Sequence, residues 1–431
     1  MNLTTINKAV IGSTLSSILL LTNVQAQEKQ FDQDRLLKID ALIQRQINEK
    51  HIPGATALVL KNGKVIYEKA FGYADVESKR KMQTDDIFRI ASQSKAITSL
   101  GVMMLWEEGK FLLDDPISKY IPAFKAPSVL KAYDAQTKTY TTIAAKREIT
   151  VRELLRHTSG IAYPAVFSDP TMQKIYEQAG VPSGIGTTSG TLKEKMELLG
   201  RQPLQHQPGE AFTYGLNIDL LGYLIEIWSG QALDNFMENR IFRPLEMKDT
   251  YFHLPLEKQK RLVSLYESRA DNELIKVNHP LYEGVDPDFP KRKGSYLSGG
   301  AGLSATARDM ANFYSLYLNK GLFNGKRLIG VKTLELMLQN QLGNEVRISA
   351  MPPQPENFQF SLAGFALETA KNDYLSPLTQ GSFGWGGAFN THGWADPKEG
   401  LIAILLTQEY LSPYFSIGEE FQVALYQALN N

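Results

Sequence analysis

Phe88-Arg-Ile-Ala-Ser-Gln-Ser-Lys-Ala-Ile-Thr-Ser-Leu-Gly-Val-Met-Met-Leu105 opens as a short polar turn and closes as an apolar helix. Ser92 and Lys95 stand three apart where the apolar run Ala96, Leu100, Met103, Met104 begins, so both project from one face of a helix turn. A serine hydroxyl attacks poorly at neutral pH and needs a basic group within hydrogen-bond reach, which a nearby lysine supplies if burial or charge depresses its pKa. A first-turn position adds backbone N–H groups and the positive end of the helix dipole, which stabilise charge developing on an attacked carbonyl. Ser-x-x-Lys by itself recurs on many solvated helix faces. Here it sits between an apolar segment and a Met/Leu-rich helix, the place where a buried helix starts.

Strand patterns lie at both ends of the chain around this helix. Residues 33–49 carry apolar positions at helical spacing (Leu36, Leu37, Ile39, Leu42, Ile43, Ile47). The period then switches to a hairpin over 55–60 and 65–72, whose Asn62-Gly63 tip supplies the residues a type I′ turn requires. Matching strands recur only near the other end, over 360–368, 382–395 and, after the Asp396-Pro-Lys-Glu-Gly400 turn, 401–407, followed by a helix over 417–429. The expected fold is therefore mixed α/β (α+β). One antiparallel sheet is built from the two termini and flanked by helices, with a mainly helical region inserted between them. The α/β part takes residues 27–110 and 298–431, and the insertion 111–297. Helices are expected near 151–156, 191–199, 216–228 and 231–242, with long Gly/Pro/Ser/Thr-rich loops over 159–190 and 267–297 as walls of a binding site.

Composition narrows the function classes. The 431 residues hold 46 Lys+Arg against 46 Asp+Glu and are 43% hydrophobic, so there is ample core and no charge bias toward nucleic acid or an anionic membrane. Cysteine is absent, which excludes disulfides, thiol nucleophiles and thiolate-bound metals. Residues 1–26 read as a secretory signal: Lys8, an apolar stretch to Leu21 broken by Ser13, Thr14, Ser16 and Ser17, and Val24-Gln-Ala26 before the cleavage point. An exported chain, periplasmic or secreted, starting at Gln27 and without a membrane span is expected. No second histidine or carboxylate has metal-ligand spacing with His157 or His392, so no metal and no cofactor is expected.

Several ordered motifs are more specific than Ser-x-x-Lys. They are Phe88–Lys95, Gly109-Lys-Phe-Leu-Leu-Asp-Asp-Pro116, Leu154-Leu-Arg-His-Thr-Ser-Gly160, Pro208-Gly-Glu-Ala-Phe-Thr-Tyr-Gly215, Leu297-Ser-Gly-Gly-Ala-Gly-Leu-Ser304 and Trp385-Gly-Gly-Ala388. Together they resemble the serine β-lactamase-related superfamily, which holds class C β-lactamases, D-alanyl-D-alanine carboxypeptidases, D-amino-acid peptidases and family VIII carboxylesterases. The likeness covers nearly all of residues 27–431 as one catalytic domain with the β-lactamase/transpeptidase-like fold. It implies a Ser92 nucleophile, with Lys95 and Tyr214 sharing its proton as a coupled pair, since a phenol is a poor base until a nearby cation stabilises the phenolate. It also implies an oxyanion hole from the N–H groups of Ser92 and Ala388.

Two departures separate the chain from the peptidases and lactamases in that resemblance. Those read Tyr-x-Asn, whereas this chain reads Tyr214-Gly-Leu-Asn217-Ile-Asp219, which looks like the esterase branch, with Asn217 and Asp219 expected to cap or pack a helix. Those also carry Lys-Thr-Gly or His-x-Gly, whose cation and hydroxyl hold a substrate carboxylate, where this chain has Trp385-Gly386-Gly387. A bulky apolar residue there favours an uncharged ester, with the glycines letting substrate lie against the strand. The expected partner is a small-molecule ester or amide, cleaved through a Ser92 acyl-enzyme, with the oligomeric state open. The alternatives are a class C-like β-lactamase or D,D-peptidase, and a non-catalytic binding or sensor homologue. His157 and His392 are expected to be structural, as is Arg89, and Thr306 with Asp309 reads as a capping box opening a helix over 309–320.

Overall fold

A computed structural model describes residues 32–164, 169–269, 273–281, 286–343, 346–348, 357–370 and 376–429. The expected signal segment, 1–26, lies outside the described residues. Among the described residues no helix is long and apolar enough to cross a membrane.

Strands β1 (Gly54–Lys61), β2 (Lys64–Asp75), β3 (Arg80–Lys81), β4 (Ala366–Leu367), β5 (Phe383–Gly387), β6 (Thr391–Asp396) and β7 (Leu401–Leu406) form one sheet in the order β4-β5-β6-β7-β1-β2-β3. Every pairing is antiparallel, and the two termini meet at the centre, where β1 runs against β7 with Thr56 opposite Leu406 and Lys61 opposite Leu401. The sheet expected from both ends of the chain is thus present. Asn62 and Gly63, both at positive φ (49° and 75°), turn β1 into β2 as the type I′ pattern requires.

The strand alternation divides the core in two. Ala57, Val59, Ala403 and Leu405 face α1 (Gln33–Asn48) and the C-terminal helix Ile417–Tyr426, meeting Leu36, Ile39, Ile43, Phe421 and Leu425. Leu58, Leu60, Ile402, Ile404 and Leu406 face the larger helical layer on the other side. That layer contains α2 (Ser94–Glu107), buried from Ser94 to Leu105, α3 (Asn217–Ser229) and α4 (Ala307–Leu318). A helix apolar on all sides is stable only when covered on all sides.

Several expectations need correction. The 382–395 run is two strands, broken at Ala388-Phe389-Asn390, with Asn390 in the left-handed region at φ 60°. Of 360–368 only Ala366–Leu367 is strand, because Ser361 accepts and donates across a tight turn to Phe365. The C-terminal helix stops at Tyr426, not 429. The inserted region contains a hairpin, Ser128–Asp134 with Thr139–Ala144, and a helix, Pro170–Ala179, inside the stretch expected to be loop. Asp169 caps that helix through the N–H groups of Thr171 and Met172, and Gly180 ends it at φ 74°. The capping box at Thr306 is half formed: Thr306 accepts from the Asp309 N–H, but the Asp309 carboxylate turns away to the Asp249 N–H and Thr250 hydroxyl, both at 2.8 Å, and the helix starts at Ala307.

His392, structural as expected, faces the Phe415 ring at 4.5 Å and bonds Asn390 Oδ1 at 2.8 Å. Burial pushes its pKa down to about 4 from 6.5. The unfolded chain therefore takes the proton first on acidification, so folding stability is lost as pH falls from 6.5 toward 4, by about 3 kcal/mol from this group. Asp309 acts with the opposite sign: burial raises its pKa to about 6, so the folded state takes up its proton first between 6 and 4. A His392→Gln variant is expected to lose about 3 kcal/mol less than the parent between pH 7 and pH 4 in urea denaturation. Equal losses in the two proteins would contradict this assignment.

Candidate active site

Ser92 lies in a single 3-10 turn, Ala91–Gln93, that runs directly into α2. Ala91 just before it sits at φ 42°, a left-handed conformation that a non-glycine residue adopts only when its surroundings impose it. The Ile90 N–H to Leu303 O and Gln93 N–H to Ile90 O bonds, both 3.1 Å, fix the turn from either side. Ser92 is half-buried, while Lys95, one turn along, is fully buried.

The Lys95 ammonium donates to Ser92 Oγ at 3.2 Å and to the Gly300 carbonyl at 2.8 Å. It also lies 4.5 Å from the centre of the Tyr214 ring and 5.6 Å from that of Tyr163. Three residues along α2, Thr98 donates to the Gly299 carbonyl at 2.7 Å, so one face of α2 grips the Gly299-Gly300 backbone at two successive carbonyls. The structure therefore brings Ser92, Lys95 and Tyr214 to one place, as the sequence reading expected. Tyr163 joins them. Nothing in the sequence marked it beyond its place three residues after Gly160.

Trp385, on β5, closes the group: its indole N–H donates to the Tyr214 hydroxyl at 3.0 Å. Its ring packs with Phe358 and Phe360, which gather with Phe212 and Leu342 into an apolar cluster that also touches Tyr214. Strand β5 meets the nucleophile turn closely. A Cβ on Gly387 would fall 2.4 Å from the Ile90 carbonyl oxygen, so glycine is required for the strand to come this near, and Gln93 Nε2 donates to Trp385 O at 3.3 Å. A Cβ on Gly386 would point the other way, 2.9 Å from the Phe415 ring. Both side-chain directions are thus occupied by protein, and contact of either glycine with a ligand would be through backbone. Among the described residues β4 pairs with β5 only at Phe383 and Gly384.

Ala388 follows, half-buried, in a tightly held turn. The chain beyond β7 clamps it at three successive carbonyls: Leu411 N–H to Ala388 O at 3.3 Å, Glu409 N–H to Phe389 O at 3.2 Å, and the Thr407 hydroxyl to Asn390 O at 2.9 Å. A backbone donor in so fixed a turn needs no reorganisation when charge develops beside it. Ala91 and Ala388 belong to one apolar cluster with Ile185, Leu265, Phe289 and Phe389, which places the Ala388 turn beside the Ser92 turn.

His157, in the left-handed region at φ 57°, packs at a tilt against Tyr214 with ring centres 4.9 Å apart. Asn217 Nδ2 lies 3.0 Å from His157 Nδ1, and Ser159 Oγ bonds Asn217 Oδ1, so Asn217 packs the first turn of α3 against this loop, as expected of it. Burial, reinforced by the Lys95 charge, holds the His157 pKa well below the ordinary histidine value. Arg89 is structural as expected: fully buried, it donates to Val263 O and Pro287 O, both at 2.8 Å. No group of three or more His, Asp or Glu residues among the described residues could hold a metal. A surface cleft of about 750 Å³ between Arg80, Lys276 and Asp288 does not include Ser92, and several of its charges are paired, Lys276 with Asp75 and Lys291 with Asp288 among them.

Comparison with known proteins identifies the family of the chain. A family model described as Beta-lactamase matches residues 39–425. Protein Rv1367c of Mycobacterium tuberculosis is 30% identical over 361 residues, covering 83% of this chain and 86% of that protein. Esterase EstB of Burkholderia gladioli is 27% identical over 409 residues, covering 91% and 94%. Among solved structures, EstCE1, described as a hydrolase with promiscuous acyltransferase activity, superposes with a TM-score of 0.77 at 27% identity, covering 91% of this chain and 99% of that one.

Proposed function

The chain belongs to the Beta-lactamase family and is a serine hydrolase, and from that premise we propose that it cleaves small carboxylic esters through an acyl-enzyme on Ser92. Ser92 Oγ attacks the ester carbonyl as its proton passes to the Tyr214/Lys95 pair. The backbone N–H groups of Ser92 and Ala388 take the oxyanion, and the alcohol leaves with the proton from the same pair. Water then attacks the acyl-enzyme by the reverse path and frees the acid.

The observation that carries the ester reading is Trp385. On β5, beside the Ser92 turn, the chain places an indole whose one polar atom is committed to Tyr214, backed by Phe358 and Phe360. A substrate carboxylate there would be desolvated against aromatic rings without a matched cation, which costs several kcal/mol, whereas an ester carries no charge to desolvate. The likeness to Esterase EstB supports the same reading. Turnover of p-nitrophenyl butyrate is expected to exceed that of a chromogenic cephalosporin. A cephalosporin turned over faster than the ester would move the assignment to β-lactamase.

The Trp385 N–H has a second consequence. A donor aimed at the Tyr214 oxygen stabilises the phenolate and fixes the ring, so Trp385→Phe keeps the aromatic wall and loses the donor. A fall in ester kcat of about 10-fold is expected, the worth of one hydrogen bond to a charged oxygen, with KM little changed. A change confined to KM would assign Trp385 to substrate binding alone.

Export is part of the proposed function, supported by Lys8, the apolar stretch after it and Val24-Gln-Ala26. N-terminal sequencing of the mature protein is expected to begin at Gln27.

A further inference from the structure

Resting on Lys95 acting at Ser92, we propose that Asp219 is the positioning residue of that lysine: a buried carboxylate that sets the Gly300 segment carrying the ammonium and balances its charge. The sequence reading placed Asp219 as a helix-packing residue, and its contacts are more particular than that. It stands in the first turn of α3 and is 1% exposed. A first-turn carboxylate that serves only its own helix accepts from that helix's free N–H groups. Asp219 instead accepts from the Tyr296 hydroxyl at 3.0 Å, 77 residues away.

The other oxygen, Oδ2, is buried without a partner of hydrogen-bond geometry. It faces Gly300, where a Cβ would stand 2.5 Å from it. Glycine at 300 is therefore what lets the carboxylate reach this backbone, and the Gly300 carbonyl is the one that receives Lys95 Nζ at 2.8 Å. A continuous chain results: Tyr296 to Asp219, Asp219 against Gly300, Gly300 to Lys95, Lys95 to Ser92 Oγ.

Energetics argue against a merely structural residue. Burying a carboxylate this deeply costs several kcal/mol that an apolar side chain among Ile218, Leu220 and Leu221 would not incur. Burial pushes the Asp219 pKa up, and the Ser298 hydroxyl, the Lys95 ammonium, the Tyr296 hydroxyl and the Gly300 N–H draw it part of the way back. The groups facing Lys95 from the surrounding elements are Tyr214, Tyr163 and His157, besides Asp219 itself. His157 is held neutral by its low pKa, and Asp219 is the one carboxylate among these groups. Asp219 is thus the negative charge that matches the Lys95 ammonium.

The test is the rate of Ser92 labelling by a fluorophosphonate probe against pH, in the parent chain and in Asp219→Asn, which keeps the shape and removes the charge. Removing a negative charge lowers the pKa of every neighbouring group, so both limbs of the profile are expected to move about 1 unit toward acid. The maximal labelling rate is expected to fall at least about 10-fold as Lys95 loses its fixed place. A residue with only a packing role would lower the melting temperature and leave the profile where it was, and that result overturns the proposal. Asp219→Ser gives the same reading should the asparagine variant not fold, and if neither yields folded protein the residue is structural and the proposal falls. A parent chain that takes no label at Ser92 would instead remove the acyl-enzyme reading on which this rests.

Discussion

Lys95→Met is expected to lower kcat/KM for ester hydrolysis about 1,000-fold while leaving the chain folded. General acid–base catalysis contributes roughly 10²–10⁴ in rate and charge stabilisation roughly 10²–10³, and in this site both run through the Lys95/Tyr214 pair, in which Lys95 Nζ touches Ser92 Oγ and lies under the Tyr214 ring. Methionine preserves the apolar stem of the side chain, which is fully buried, so the substitution isolates the charge from the packing. It does leave the Gly300 carbonyl without its donor, a loss of about 1–3 kcal/mol that a melting curve would register. Circular dichroism matching the parent, with activity reduced at least about 100-fold, fits the expected role. A variant retaining more than about a tenth of the activity would remove Lys95 from the chemistry.

Tyr214→Phe is the companion case. Only the hydroxyl is lost, and the ring stays seated between His157 and Trp385. The oxygen that accepts the Trp385 N–H is also the one assigned to carry the proton between Ser92 and the leaving alcohol. A fall in kcat of about 100- to 1,000-fold is expected, with KM changed by less than about threefold, because the hydroxyl acts as the proton moves and not when substrate binds. Trp385 as a residue is half-buried, and water in place of the lost hydroxyl holds the stability cost to about 1 kcal/mol or less. A KM rise at unchanged kcat would make Tyr214 a binding residue.

What could be read from the sequence followed the range of the interactions. Ser92 with Lys95 was legible because three residues on a helix fix a shared face, and the Asn62-Gly63 turn because two positive-φ positions need those residues. The central strands were legible because both faces are covered, which writes β1 and β7 as unbroken apolar runs. The hairpin partner Thr139–Ala144 was not, since all six of its residues are exposed and no alternation of burial marks it. Pro170–Ala179 carried its own start and stop, Asp169-Pro170 and Gly180, but only Met172, Ile175 and Tyr176 mark its inner face, too few to stand out from the polar residues around them. Tyr214, Trp385 and Ala388 came from the order of motifs, because the bond joining Trp385 to Tyr214 spans 171 residues and leaves no trace in local spacing. For the same reason Asp219 looked like a helix residue: its partners, Tyr296 and Gly300, are fixed only once α2 and α3 have packed.

The claim on which the rest depends is that Ser92 carries the acyl group. Intact-mass spectrometry of the purified mature protein, quenched in acid during turnover of p-nitrophenyl butyrate, tests it directly against a Ser92→Ala sample treated in the same way. A mass increase of one butyryl group in the parent, mapped by peptide digestion to the segment holding Ser92 and absent from the variant, is the expected result. Turnover that persists in Ser92→Ala, or an adduct that maps to another residue, would contradict it.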